Sequence, residues 1–245
     1  METNTILALL IPFAGTTTGS ALVFFIRDGI PARLQKAMLG FASGVMVAAS
    51  VWSLLIPSIN MCADRGRLAT VPALIGLLCG FAFLLMIDRI TPHIHSGGQK
   101  EGPRSNLSKT AMLALAVTIH NLPEGMAAGI SDTIALSLGI AIQNIPEGAI
   151  ISMPMLAAGN SKWKSFLIGS LSGIVEPIGG ALILLLASSV TAAVPYLLAF
   201  AAGAMLYVVV EELIPETAEG EHSNIGTIGF ALGFALMMVL DTVMG

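Results

Sequence analysis

The sequence predicts an all-α polytopic membrane protein of eight transmembrane helices, and three observations carry that reading. Of its 245 residues, 55% are hydrophobic and only 11% are Asp, Glu, Lys or Arg, against about 25% charged in an ordinary soluble domain. Mean hydropathy is +0.87, and the apolar residues gather into runs as long as the roughly 20 residues a helix needs to cross a bilayer. Most charges lie between those runs, so the net charge of −4 describes loops. The lipid bilayer is therefore an expected partner and nucleic acid is not. Cys62 and Cys79 form neither a CxxC pair nor a disulfide framework. No segment reads as a separate soluble domain, so residues 1–245 are expected to form one transmembrane unit.

Taken in order, the first run is Thr5 to Ile26. It has no basic leader and no small-residue cleavage site, and is expected to be a retained helix. A basic loop, Arg27 to Lys36, precedes helix two, Ala37 to Ile59, where Gly40 and Gly44 have the GxxxG spacing that permits close helix approach. Helix three runs from Val71 to Ile90 with Asp88 near its end, and a long polar loop, Thr91 to Ser108, follows. Helices four and five cover Lys109 to Ile130 and Thr133 to Ala158, and their very short connection makes them antiparallel neighbours. Helix six is expected over Ser165 to Ser188 with Glu176 and Pro177 in mid-span, helix seven over Pro195 to Ile214, and helix eight over Ile225 to Met244.

Charge assigns the sides. Arg27, Arg33, Lys36, Arg89, Lys100, Arg104, Lys109, Lys162 and Lys164 belong to one alternating set of loops, and only Arg65 and Arg67 to the other. The positive-inside rule then leaves both termini extracytoplasmic and the histidine-containing loop in the cytosol.

The chemistry is concentrated between Thr118 and Ile151, where HNLPEG (His120 to Gly125) recurs as QNIPEG (Gln143 to Gly148). On a helix, positions i and i+4 share a face, which sets His120 over Glu124 and Gln143 over Glu147, with Asn121 and Asn144 bordering that face. Pro123 cannot donate to the Ile119 carbonyl, nor Pro146 to that of Ile142, so each helix is expected to kink and expose a backbone oxygen. Facing antiparallel helices with these residues make a cage of carboxylate, imidazole and amide ligands: a cation site. Glu124, Glu147 and Glu176 fall near mid-span, where each charge costs about 2.5 to 3.5 kcal/mol on insertion scales. A divalent ion offsets both that cost and their mutual repulsion. Protonated glutamates hydrogen-bonded between helices are the structural alternative, and Met46 taken alone reads as core filling.

HNLPEG, QNIPEG, the Glu176-Pro177 pair, GFASGVMVAAS, DRITPHIH and EELIPET together resemble the ZIP (Zrt- and Irt-like) family of divalent metal transporters, in the bacterial branch related to the gufA proteins. The resemblance covers essentially the whole chain. It implies a 3+2+3 arrangement in which the outer triplets are inverted repeats around helices four and five, and a homodimer. It implies carriage of Zn²⁺, with Cd²⁺, Fe²⁺ or Mn²⁺ as related substrates, into the cytoplasm across the plasma membrane, the inner membrane in a Gram-negative cell. An elevator-like movement of one helical bundle is the implied route of alternating access. Carried over residue by residue, it implies a first metal between Met46, His120, Glu124, Gln143 and Glu147. A second then lies between Asn121, Glu124, Asn144, Glu147 and Glu176. Imidazole and thioether beside carboxylates suit a borderline metal and disfavour Mg²⁺ or Ca²⁺. Asn144 stands where some bacterial relatives carry aspartate, and Glu211 where a histidine occurs. On the cytosolic side Asp88, His93, His95, Glu211, Glu212 and Asp241 resemble the ligands of an exit path; solvated helix ends and a polar loop are the alternative reading.

Zinc is expected as transported substrate rather than resident cofactor, and no catalytic residues are expected. An intramembrane metalloenzyme would also bury His and Glu, but a zincin needs HExxH, which this sequence lacks. A passive divalent-cation channel stays open at this level, because residue types alone do not separate a carrier from a pore.

Overall fold

Lipid offers no hydrogen bonds, so apolar runs must satisfy their peptide groups internally, and they wind into helices. The computed structural model describes residues 3–25, 30–90, 93–94, 100–101, 109–131, 134–189, 191–218 and 223–244. Its helices are α1 (Thr3–Ser20), α2 (Ala32–Ala49), α3 (Ile56–Asn60), α4 (Thr70–Ile90), α5 (Lys109–Ser131), α6 (Ile134–Ala157), α7 (Lys162–Ser172), α8 (Val175–Ser189), α9 (Val194–Val208), α10 (Ile214–Ala218) and α11 (Ile225–Met244). Within the polar loop expected over 91–108, His93–Ile94 (β1) pairs antiparallel with Lys100–Glu101 (β2).

Seven stretches among the described residues are long and apolar enough to cross a membrane: Ile6–Phe24, Ala32–Asn60, Thr70–Arg89, Ile134–Ala157, Lys162–Leu186, Val194–Ala218 and Ile225–Val243. The chain is thus a polytopic helical membrane protein. Eight spans were expected. The eighth candidate, α5, has 23 residues, but Asn121, Pro123 and Glu124 interrupt its apolar character and keep it outside that set. The α6 span is 72% buried inside the molecule, against 22% of Ile225–Val243 and 28% of Thr70–Arg89. So α6 is central, while α4 and α11 turn Leu74, Leu78, Ile228 and Leu232 outward to where lipid would lie.

Four helix pairs dominate the packing: α1 on α6, α5 on α8, α2 on α11 and α4 on α9. Small residues make these contacts close. A Cβ added at Gly40 would collide with the carbonyl of Gly226, and one at Gly44 with that of Phe230, which gives the GxxxG spacing of helix two its partner, α11.

Three expected single helices are interrupted. Helix six is two helices, broken at 173–174 between α7 and α8. Pro177 cannot donate to the Gly173 carbonyl, and the Glu176 amide takes that oxygen instead at 3.0 Å. Between α2 and α3 lies a π-helical turn, Ser50–Leu55, and between α9 and α10 a second, Val209–Leu213. Each is followed by Ile-Pro, at Ile56-Pro57 and Ile214-Pro215. Proline leaves the carbonyl four residues upstream without its usual donor, and a wider turn absorbs the mismatch. By contrast α5 and α6 stay continuous through Pro123 and Pro146.

Candidate metal centre

Three helices deliver the polar residues to one buried place. Asn121 and Glu124 come from α5, Gln143, Asn144 and Glu147 from α6, and Glu176 from the first turn of α8. Asn121, Glu124, Gln143, Asn144 and Glu176 are 0% exposed and Glu147 is 6% exposed, so water does not solvate these groups. The break at 173–174 sets the amino end of α8 inside the bundle, where the helix dipole favours the negative charge of Glu176.

Each of the three amide nitrogens donates to a partner within the protein. Gln143 Nε2 donates to Glu124 Oε1 at 2.6 Å, Asn121 Nδ2 to the Ser172 carbonyl at 3.2 Å, and Asn144 Nδ2 to the Pro12 carbonyl at 3.3 Å. Thr16 Oγ1, from α1, donates to Glu176 Oε1 at 2.7 Å. What remains is a set of acceptors. Asn121 Oδ1, Glu124 Oε2, Gln143 Oε1, Asn144 Oδ1 and Glu176 Oε2 are buried without a hydrogen-bond partner. An unsatisfied buried polar atom costs about 1–3 kcal/mol, so five of them together need an explanation. Ionised together, the carboxylates would also repel, since Glu147 stands close enough to both Glu124 and Glu176 for its charge to act on them. Oxygen lone pairs with no donor, gathered around like negative charges, are the complement of a cation.

Among the described residues no three His, Cys, Asp or Glu side chains close to metal-holding distance, so the described donors are carboxylates mixed with amides. The side chain of His120, an expected ligand, lies outside the described residues. Met46 is fully buried in the apolar cluster with Leu84, Leu198 and Met205.

The six expected exit-path residues do not share one end of the bundle. Tyr207 donates to Asp88 Oδ2, and Glu211 and Glu212 follow it by four and five residues, which puts those three acids at one end of the bundle. Asp241 sits apart, taking a hydrogen bond from Ser53 Oγ at 2.7 Å. The start of α2 lies beside the start of α11, at Gly40 and Gly226, whereas α3 meets the start of α9 through Ser58 Oγ and the Pro195 carbonyl at 2.7 Å. Ser53 and Asp241 therefore belong to the end opposite Asp88, Glu211 and Glu212. The parallel run of α11 along α2 forces this, with Gly40 against Gly226 and Gly44 against Phe230, so the last turn of α11 lies a full span from its first. The side chain of His93 and all of His95 lie outside the described residues.

A narrow cleft of about 30 Å³ reaches the site from one side, lined by Glu147, Ile150, Val208, Glu212 and Glu216 among others. Glu216 was not singled out in the sequence, although its place four residues after Glu212 on a helical stretch signals a shared face. Thr16 also escaped notice, because a threonine between glycines in an apolar run looks like packing.

A profile of the ZIP zinc transporter family matches residues 104–241, more than half of the chain. The chain belongs to the ZIP zinc transporter family. This ZIP chain is 37% identical over 256 residues to zinc transporter ZIPB of Bordetella bronchiseptica, covering 95% of this chain and 79% of that one. It is 35% identical over 244 residues to zinc transporter GufA of Myxococcus xanthus, covering 95% and 96%, and 32% identical over 325 residues to human zinc transporter ZIP11, covering 94% of each. Members of the family transport metal ions and are not enzymes. The resemblance carried by the paired PEG motifs is thus a family membership.

Proposed function

We propose that this ZIP protein carries divalent transition-metal ions, Zn²⁺ foremost, across the plasma membrane into the cytoplasm by alternating access through a midplane, binuclear site. The observation that carries the proposal is the set of five buried acceptor oxygens without donors on α5, α6 and α8. The first ion sits among Met46, His120, Glu124, Gln143 and Glu147. The second sits among Asn121, Glu124, Asn144, Glu147 and Glu176, so Glu124 and Glu147 bridge. Cd²⁺, Fe²⁺ and Mn²⁺ are further substrates. The membrane is the inner one in a Gram-negative cell, and the unit is a single domain that pairs as a homodimer.

In this reading α5 is the eighth span, since 23 helical residues cover about 35 Å at 1.5 Å per residue. The 3+2+3 arrangement with inverted repeats is supported by the packing. The α1–α6 contact is answered by α5–α8, and the α2–α11 contact by α4–α9. Inward direction is supported by the cleft, which joins Glu147 to Glu212 and Glu216 at the end that carries the basic loops. Asp88, Glu211 and Glu212 then form the exit path, with His93 and His95 collecting or releasing metal in the loop beyond.

Uptake into proteoliposomes containing the purified protein tests this. Saturable Zn²⁺ flux without single-channel currents is expected, compared across Zn²⁺, Cd²⁺, Fe²⁺ and Mn²⁺. Glu124→Ala and Glu147→Ala should each lower that flux at least a hundredfold at equal membrane abundance, since each removes a ligand from both ions. Near-normal flux in either variant would sink the bridging assignment.

A further inference from the structure

The contacts around the metal centre repeat with a fixed numbering. Asn121 binds the Ser172 carbonyl and Asn144 binds the Pro12 carbonyl; 23 residues separate the two asparagines and 160 separate the two carbonyls. A Cβ added at Gly125 would strike the Glu176 backbone oxygen, and one at Gly148, 23 residues on, would strike that of Thr16, 160 residues before Glu176. A Cβ at Gly179 would meet the Leu122 carbonyl, and one at Gly19 the Ile145 carbonyl, with the same two separations. One internal operation therefore relates α5 to α6 and α1 to the α7–α8 pair. Under it Glu124 answers to Glu147, Asn121 to Asn144, and Glu176 to Thr16.

Thr16 and Glu176 also touch each other. Thr16 Oγ1 donates to Glu176 Oε1 at 2.7 Å across a separation of 160 residues, and both side chains are fully buried. We infer that Thr16 is a positioning residue of the metal centre: the first repeat supplies a hydroxyl where the second supplies a carboxylate, and that hydroxyl decides which Glu176 oxygen takes the ion. A hydroxyl that donates to Oε1 ties that oxygen, while Oε2 is left buried with no partner and faces the cation. Bonds from a hydroxyl to a carboxylate are among the stronger hydrogen bonds, and the neighbourhood leaves the pair little room to turn. A Cβ at Gly173 would lie 2.8 Å from Glu176 Oε1 and 2.8 Å from Thr16 Cβ, so only glycine fits beside the pair.

The inference rests on the metal-transport reading above, and its test separates the two. Zn²⁺ is titrated calorimetrically into the purified full chain in detergent. Thr16→Val keeps the shape and removes the donor, and should weaken Zn²⁺ binding about tenfold or more. Thr16→Ser keeps the donor and should stay within about threefold of the unmodified protein. In a Glu176→Gln background, Thr16→Val should cost nothing further, because Thr16 acts through that carboxylate. If Thr16→Val does not yield folded protein, Thr16→Ala, which cannot clash, takes its place against the same Thr16→Ser reference. Zn²⁺ binding unaltered by loss of the hydroxyl, or lowered equally in the Glu176→Gln background, overturns the inference. Glu124→Ala is run alongside. Normal Zn²⁺ binding in Glu124→Ala overturns the metal centre itself, whereas lost binding there with normal binding in Thr16→Val overturns only the role of Thr16.

Discussion

Each amide at the centre behaves as a polar adaptor. Its nitrogen donates to protein, to Glu124 for Gln143 and to backbone carbonyls for Asn121 and Asn144, and its oxygen is left over. Asn144 is where this has the largest consequence, because charge counting turns on it. Glu124, Glu147 and Glu176, when ionised, leave a cluster with one divalent ion at −1 and with two at +1, so the second ion is opposed in a low-dielectric site. One tight and one weak Zn²⁺ site are therefore expected. Asn144→Asp adds the missing charge and removes the donor to Pro12; it should strengthen the weak site about tenfold or more and slow turnover. Two equally tight sites in the unmodified protein, or an unchanged second site in Asn144→Asp, would remove the charge argument.

At the scale of the element, irregular backbone is found beside chemistry. The break at 173–174 places Glu176 in the first turn of α8, and the π-helical turn at Val209–Leu213 contains both Glu211 and Glu212. Glycine then brings regular helices close enough for short side chains to meet. Gly125 lies against the Glu176 backbone, where an added Cβ would collide with the carbonyl. Gly125→Ala should push α8 from α5, at about 1–3 kcal/mol of overpacking, and carry the Glu176 carboxylate out of register. A lower melting temperature together with weaker Zn²⁺ binding is the expected result. Unchanged stability and unchanged affinity in Gly125→Ala would mean that this contact positions nothing.

The whole molecule is read as two antiparallel halves of a bilayer-spanning bundle. The topology proposed above, with both termini outside, requires the connection after α3 to face outward and the one after α6 to face the cytosol. A cysteine in place of Asp64, in a background with Cys62→Ser and Cys79→Ser, should react with a membrane-impermeant maleimide on intact cells. One in place of Ala158 should react only after permeabilisation. Labelling of both from the same side would overturn the topology, and with it the inward direction of transport.

Some of this was legible in the residues alone. Hydropathy and helical period fix helix boundaries to within a few residues for α4, α5, α6 and α11, because burial in lipid acts on each run separately. That Asn121, Glu124, Gln143, Asn144 and Glu147 share a polar face was legible too, since a Glu, Asn and Pro in an apolar run cost too much to be incidental, and spacing of three and four assigns them to one face. The interruptions were less so: Pro123 and Pro146 sit in continuous helices, whereas Pro57, Pro177 and Pro215 accompany wide turns or a break. A proline states only which carbonyl loses its donor, and neighbouring helices decide how the backbone responds. Asp241 resembles Asp88 in residue type, and only the parallel packing of α11 on α2 sends it to the opposite end. Thr16 became part of the site only through folding. Its partner Glu176 is 160 residues away, and no local pattern encodes a contact made by the packing of helices so distant in sequence.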